Sequence, residues 1–167
     1  SGIGTRTIVI IMSNINIKQF KKFMLESNRI EGEDRVNPND FEAVVLALKG
    51  IDTIREMLKL HNTIGEHLKK SWVGKFRKCD VIVGKYTPPH YTKVPGLMKQ
   101  YMEDLPELGS WEAHNKFEGI HPFQDLNGRV GRLIWLSKAI DERYDFSIPF
   151  LQMYYYQTLS YYETNKC

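Results

Sequence analysis

Apolar residues recur at helical spacing through most of this chain, and that regularity restricts it to a helical fold. Ile17, Phe20, Met24 and Ser27 share one face, which predicts an amphipathic helix from Ile15 to about Asn28, closed by Glu31-Gly32. Asn37-Pro38-Asn39-Asp40 reads as a turn and cap cluster, and Phe41, Val44, Val45 and Leu48 mark the helix after it. Beyond Gly50, a third helix carries Ile54, Met57, Leu58, His61 and Ile64. A fourth spans Val94 to Leu105, with Pro95 in its first turn. Trp111, His114, Phe117 and Glu118 lie on a fifth, which runs up to Ile120. A sixth runs from about Asn127 to Asp141, and a last one from roughly Ile148 to Glu163. The period fails only around Val81-Ile82-Val83. Three β-branched residues ahead of Pro88-Pro89 predict a short hairpin or extended flap there. The expected fold class is all-α, a helical bundle with a short β-hairpin flap.

The chain has 167 residues, enough for one domain with a core and too few for two typical ones. Residues 1–12 are set aside as a tag remnant or disordered N-terminus, and 13–167 are read as a single domain. Net charge is +3 and no basic block exceeds two residues, which argues against nucleic acid and an anionic membrane surface as partners. No apolar run approaches the roughly 18 residues of a membrane span. Two cysteines, Cys79 and Cys167, form neither a disulfide framework nor a CxxC pattern. A reducing, cytoplasmic location is the expectation.

The densest polar cluster is His121-Pro122-Phe123-Gln124-Asp125-Leu126-Asn127-Gly128-Arg129-Val130-Gly131-Arg132. Its parts suit phosphate chemistry. A loop with Asn and Gly that enters a helix presents backbone N–H groups to an anion. Arg129 and Arg132, three apart, share a helix face and bind phosphate oxygens bidentately. The helix dipole disfavours two cations near its N-terminus, and an anion there would remove the conflict. Asp125 is a lone carboxylate beside that position, the usual protein contribution to Mg²⁺ held on phosphates. His121 is a base that titrates near neutral pH.

At these residues the chain resembles the Fic family, whose signature is His-Pro-Phe-x-Asp/Glu-Gly-Asn-Gly-Arg-x-x-Arg. Eight of the nine specified positions match. Ala113 to Ile120 is similar to the family's lead-in, and Gly74-Lys75-Phe76-Arg77 through Val94-Pro95-Gly96-Leu97-Met98 to its flap and following helix. The likeness covers about residues 15 to 160. It implies a Fic domain that transfers AMP from Mg-ATP to a Ser, Thr or Tyr hydroxyl of a target protein, self-modification included. His121 would be the general base, Phe123 the loop's anchor in the core and Asp125 the Mg²⁺ ligand. Asn127 and Gly128 would help form the anion nest, and Arg129 and Arg132 would hold the ATP phosphates. Ile82, Val83 and Gly84 would lie in the flap that aligns the target by strand-like pairing.

One position departs from the signature: Leu126 stands where the family has Gly. A positive φ there would cost a leucine roughly 1–2 kcal/mol, and a loop with negative φ is the expectation. The Doc toxins also lack this Gly and bind ATP reversed, transferring the γ-phosphate, so the transferred group is open. A second pattern lies upstream. Ser27-Asn28-Arg29-Ile30-Glu31-Gly32 resembles the family's inhibitory element, Ser/Thr-x-x-x-Glu-Gly/Asn. The resemblance implies that the helix at about 15–31 is inhibitory, with Ser27 and Glu31 on one face and Glu31 paired with Arg132.

His114 lies seven residues before His121, but no third ligand has metal-binding spacing, so a hydrogen-bonded structural histidine is expected. Tyr154 to Tyr156 and Tyr161-Tyr162 suggest an aromatic stripe of core residues on the last helix. His61, His67 and His90 receive no role. Two further readings stand beside AMP transfer: a Fic fold that moves another phosphate-containing group, and a scaffold that no longer catalyses and acts as a binding partner. The target, the direction of the reaction and homo-oligomerisation are not legible in the sequence.

Overall fold

Helix α1 covers Ile17–Ile30, α2 Asp40–Leu48, α3 Ile54–Gly65, α4 Val94–Asp104, α5 Ser110–Ile120 and α6 Asn127–Asp141. The computed structural model describes residues 17–142, and these six α-helices with three short 3₁₀ turns make up the regular structure among them. The predicted helix at Ile148 to Glu163, the tyrosine stripe on it and the N-terminal segment 1–12 lie outside the described residues.

Helix α6 is the axis of the fold. Val130, Leu133, Ile134, Leu136 and Ala139 are buried together with Arg129 and Arg132, so it is enclosed on every side rather than along one stripe. Helices α1, α2, α3 and α5 all pack against it. Helix α1 contributes Phe20, Phe23 and Met24 to the core, and the Phe23 ring stacks on Trp135 of α6 at 6.4 Å. Helix α1 ends at Ile30, two residues beyond the predicted end, and Gly32 with φ +80° carries the chain away from it.

Side chains close the starts of α3 and α5. Thr53 and Glu56 form a capping box at the start of α3. Glu142, just past α6, accepts hydrogen bonds from the Ser110 backbone N–H at 2.7 Å and its hydroxyl at 2.6 Å, fastening the end of α6 to the start of α5. A buried polar knot holds α1 to α2: the Asn28 side-chain amide donates to Asp40 and to the Arg35 carbonyl, each at 2.8 Å.

The expected β-hairpin is reduced to a single antiparallel bridge. Val83 and Tyr86 exchange both backbone hydrogen bonds at 2.9 Å around a Gly84-Lys85 turn, and no strand forms among the described residues. The next hydrogen-bonded pair would join Val81 to Pro88, which has no N–H to give. The proline pair that signals an extended segment in the sequence also ends its ladder.

Candidate active site

The loop 121–126 is held from inside. Phe123 is fully buried, and its backbone closes a two-way bond with Asn127: its N–H donates to the Asn127 Oδ1 and its carbonyl accepts from Nδ2, both at 2.9 Å. Asn127 is thus a loop staple at the first turn of α6. His61 of α3 lies flat on the Phe123 ring at a centroid distance of 3.8 Å. The Gly74 N–H donates to its Nδ1 at 2.9 Å, so its proton sits on Nε2, which donates to the Asp125 carbonyl at 3.1 Å. Burial pushes the His61 imidazolium down to about 4, and the ring is neutral at physiological pH.

Leu126 occupies the left-handed region, with φ 67° and ψ 11°, which corrects the expected negative φ. Its side chain is buried and turned into the fold. A Cβ added to Gly65 would lie 2.9 Å from Leu126 Cδ1 and 3.1 Å from Val73 Cγ1, so the leucine packs over a helix surface left bare by glycine. The strain of roughly 1–2 kcal/mol is offset by burial of a leucine side chain, worth about 1.5–3 kcal/mol. The loop therefore keeps a backbone turn suited to glycine while carrying an apolar anchor.

Asp125 is exposed. Its Oδ1 accepts from the Leu126 N–H at 2.7 Å, and its other oxygen makes no hydrogen bond. No group of three or more His, Cys, Asp and Glu side chains suited to a metal occurs among the described residues. One free carboxylate oxygen beside a helix N-terminus fits a Mg²⁺ whose remaining ligands are phosphate and water.

Both signature arginines point to acidic residues at the end of α1. Arg132 is wholly buried; its Nε donates to the Ser27 hydroxyl at 2.8 Å, and its Nη2 to the Ser27 carbonyl at 3.0 Å and to Glu31 Oε1 at 2.6 Å. Gly128 makes that approach feasible, because a Cβ there would lie 2.7 Å from Glu31 Oε1. Arg129 forms a second, two-pronged pair, with Nη2 3.1 Å from Glu33 Oε1 and Nη1 3.4 Å from Oε2. A hydrogen bond from Asn37, with further help from Arg129, holds the Glu33 carboxyl below the usual carboxylate range. The two cations at a helix N-terminus, which in the sequence called for an anion, are met here by two carboxylates flanking Gly32.

His121 ends α5 in a left-handed conformation, φ 50° and ψ 61°, with its N–H bonded to the Phe117 carbonyl. The Arg77 side chain, fully buried, ties this corner to the flap. Its Nε donates to the His121 carbonyl at 2.8 Å and Nη1 to the Cys79 carbonyl at 2.9 Å, and Nη2 donates to the Pro89 carbonyl. Its backbone N–H reaches the Pro122 carbonyl at 2.9 Å, and Tyr86 in the bridge donates to the Gly119 carbonyl at 2.7 Å. Ile82 stands at the outer edge of this segment, 77% exposed, beside Val83 and the open turn at Gly84. His114 is buried, and desolvation holds its imidazolium below the usual histidine range.

The structure thus gathers His121, Asp125, Asn127, Gly128, Arg129 and Arg132 around one helix end, with Ser27 and Glu31 against it and the 82–84 segment at its edge. Sequence reasoning missed Glu33, Arg77 and the latch role of His61. Glu33 stands one residue beyond the recognised inhibitory pattern, and only Gly32 beside it hinted at a turn. Nothing local marks Arg77 or His61, whose partners in the 121–126 loop lie 44 and 64 residues away.

Comparison with known proteins bears on this geometry. The model of the Fic/DOC family matches residues 51–136. The chain is 27% identical over 146 residues to a protein named Protein adenylyltransferase Fic from Drosophila ananassae, a match covering 77% of this chain and 29% of that protein. Its namesake from Drosophila melanogaster is 27% identical over 140 residues, covering 73% and 28%. The chain therefore spans under a third of the length of these curated relatives. Among solved structures, a Fic family protein from Desulfovibrio desulfuricans G20 superposes with a TM-score of 0.63 at 21% identity, over 83% of this chain and 50% of that one. A Fic domain containing signaling protein from Bacteroides thetaiotaomicron gives 0.52 at 18%, over 78% and 68%.

Proposed function

The chain belongs to the Fic/DOC family, and on that premise we propose that it is a protein adenylyltransferase, held inactive by its own α1. It transfers AMP from ATP to a Ser, Thr or Tyr hydroxyl of a protein target. The reading is carried by one observation: a histidine, an exposed carboxylate and two arginines converge on the N-terminus of α6. The first-turn N–H groups of α6, uncapped by any side chain, face the phosphates together with Arg129 and Arg132. Asp125 would hold Mg²⁺, and the ion would neutralise phosphate charge. His121 takes the proton of the attacking hydroxyl. The hydroxyl oxygen bonds to the α-phosphorus as the bond to pyrophosphate breaks, and the electron pair leaves with pyrophosphate. The segment 82–84 offers a backbone edge to the target, and Arg77 fixes that edge relative to His121.

Glu31 and Glu33 occupy the arginine groups that the ATP phosphates need, so ATP and the two carboxylates compete. Release of both is the switch to the active state. The turned-in Leu126 side chain supports AMP rather than γ-phosphate transfer, since the loop keeps the backbone turn of the glycine-bearing signature.

The test is incubation of Glu31→Gly protein with Mg-ATP and a cell lysate, followed by intact and peptide mass spectrometry. AMP transfer adds about 329 Da and phosphate transfer about 80 Da. His121→Ala in the same background must abolish transfer while ATP binding, read by calorimetry, persists. Transfer by that variant overturns the assignment of the base, and an 80 Da product overturns the assignment of the group.

A further inference from the structure

The left-handed turn at His121 places its ring beside the last turn of α5, where Nδ1 lies 3.6 Å from Glu118 Oε2. Both side chains are largely buried, 16% and 17% exposed. Glu118 sits in a niche that only a glycine leaves open. A Cβ on Gly131 of α6 would lie 2.5 Å from Glu118 Oε1 and 2.9 Å from His114 Nδ1. The charged and titratable groups around it come from each packed element: His114 of α5, Arg132 of α6, Tyr101 of α4 and His121 itself. Burial pushes the Glu118 carboxyl up, but attraction to His121, His114 and Arg132 outweighs that, and it stays below the usual carboxylate range. Burial disfavours the His114 imidazolium and Arg132 is engaged by Ser27 and Glu31, while Glu118 Oε2 faces the His121 ring.

We propose that Glu118 is the positioning residue of His121. Its carboxylate accepts a hydrogen bond from Nδ1–H, which leaves the lone pair on Nε2 for the target hydroxyl. When the hydroxyl proton moves to Nε2, the charge of Glu118 stabilises the imidazolium so formed, and the Nδ1 proton stays where it was. This is the carboxylate–imidazole logic of hydrolytic triads placed on one helix end, at spacing i, i+3. At 3.6 Å the pair lies outside hydrogen-bond distance, and closure to that distance accompanies substrate binding.

The proposal rests on His121 as base, and the test separates the two claims. Protein labelled with ¹⁵N-histidine is read by long-range ¹H–¹⁵N correlation at pH 8, with His121 assigned from the signals lost in His121→Ala. The wild type shows the Nδ1–H tautomer at His121, and Glu118→Ala and the isosteric Glu118→Gln shift it toward Nε2–H. In the Glu31→Gly background both variants lose kcat by about tenfold or more, while KM for ATP stays within twofold. Should Glu118→Ala fail to fold by circular dichroism, Glu118→Gln carries both readouts. An Nε2–H tautomer in the wild type, or an unchanged tautomer and kcat in the variants, overturns the proposal. If no variant transfers any group, the proposed function fails, and the tautomer still decides the role of Glu118.

Discussion

Glu31 accepts a 2.6 Å hydrogen bond from the buried guanidinium of Arg132, across 101 residues of chain. Ser27 holds the same guanidinium through Nε and through the Nη2 that Glu31 shares, so the arginine is oriented even without the glutamate. Replacement of Glu31 by glycine therefore frees a preorganised cation rather than a loose one. Transfer of labelled AMP is expected to rise roughly 5- to 150-fold, the range of a coupling of 1–3 kcal/mol. Glu31→Gln, which keeps the shape but removes the charge, falls between the two. Equal rates for all three proteins would remove the brake from the account.

Glu33 is expected to act as a weaker second clamp. Its pair with Arg129 is partly exposed, and such pairs contribute about 0.2–1 kcal/mol. Glu33→Gln lowers KM for ATP by roughly two- to fivefold, and does so in both the wild-type and the Glu31→Gly background. An effect confined to kcat, with KM unmoved, would show that Arg129 does not contact the nucleotide.

Stability should fall on mild acidification because of His61. The folded protein holds this imidazole at about 4 against 6.5 for the free group. Between those values the unfolded chain binds a proton that the folded chain excludes. The contribution is full above pH 6.5 and is lost as pH drops toward 4, by at most about 3 kcal/mol for 2.5 units. Tm measured from pH 7.5 to 4.5 declines, and His61→Gln flattens that decline even if it lowers Tm throughout. A slope unchanged by the substitution would assign the acid sensitivity to other groups, His114 first among them.

Leu126→Gly sets two effects against each other. It relieves roughly 1–2 kcal/mol of left-handed strain and removes a buried leucine, a loss of about 2–5 kcal/mol in comparable core truncations. Burial wins, so Tm falls even though the substitution restores the family's residue. Activity in the Glu31→Gly background stays within about threefold, because the backbone turn is already present. A stabilised variant would show that the leucine side chain does not pack on Gly65 and Val73.

Most of the helical frame was legible because it is written in local periodicity. The sixth helix falls at the predicted residues, Asn127 to Asp141, and α1 ends two residues past its predicted end. The core of the site was legible for the same reason: His121 through Arg132 is contiguous. What escaped depends on approach in space. The φ of Leu126 is decided by a bare patch at Gly65, and the partners of Arg129 and Arg77 lie far along the chain. The hairpin was overread because strand propensity at Val81 to Val83 says nothing about the donor that Pro88 lacks.

The burial of α1 limits how the protein can be switched on. Detaching the helix would expose Phe20, Phe23 and Met24, at about 1.5–3 kcal/mol each. The sum approaches the 5–15 kcal/mol that holds a whole domain together. Rotation of the half-exposed Glu31 side chain at the last turn requires far less and leaves Phe23 on Trp135. Under the proposed brake, an activating signal needs to reach only two carboxylates beside Gly32, and it can do so on the timescale of side-chain motion, without unfolding.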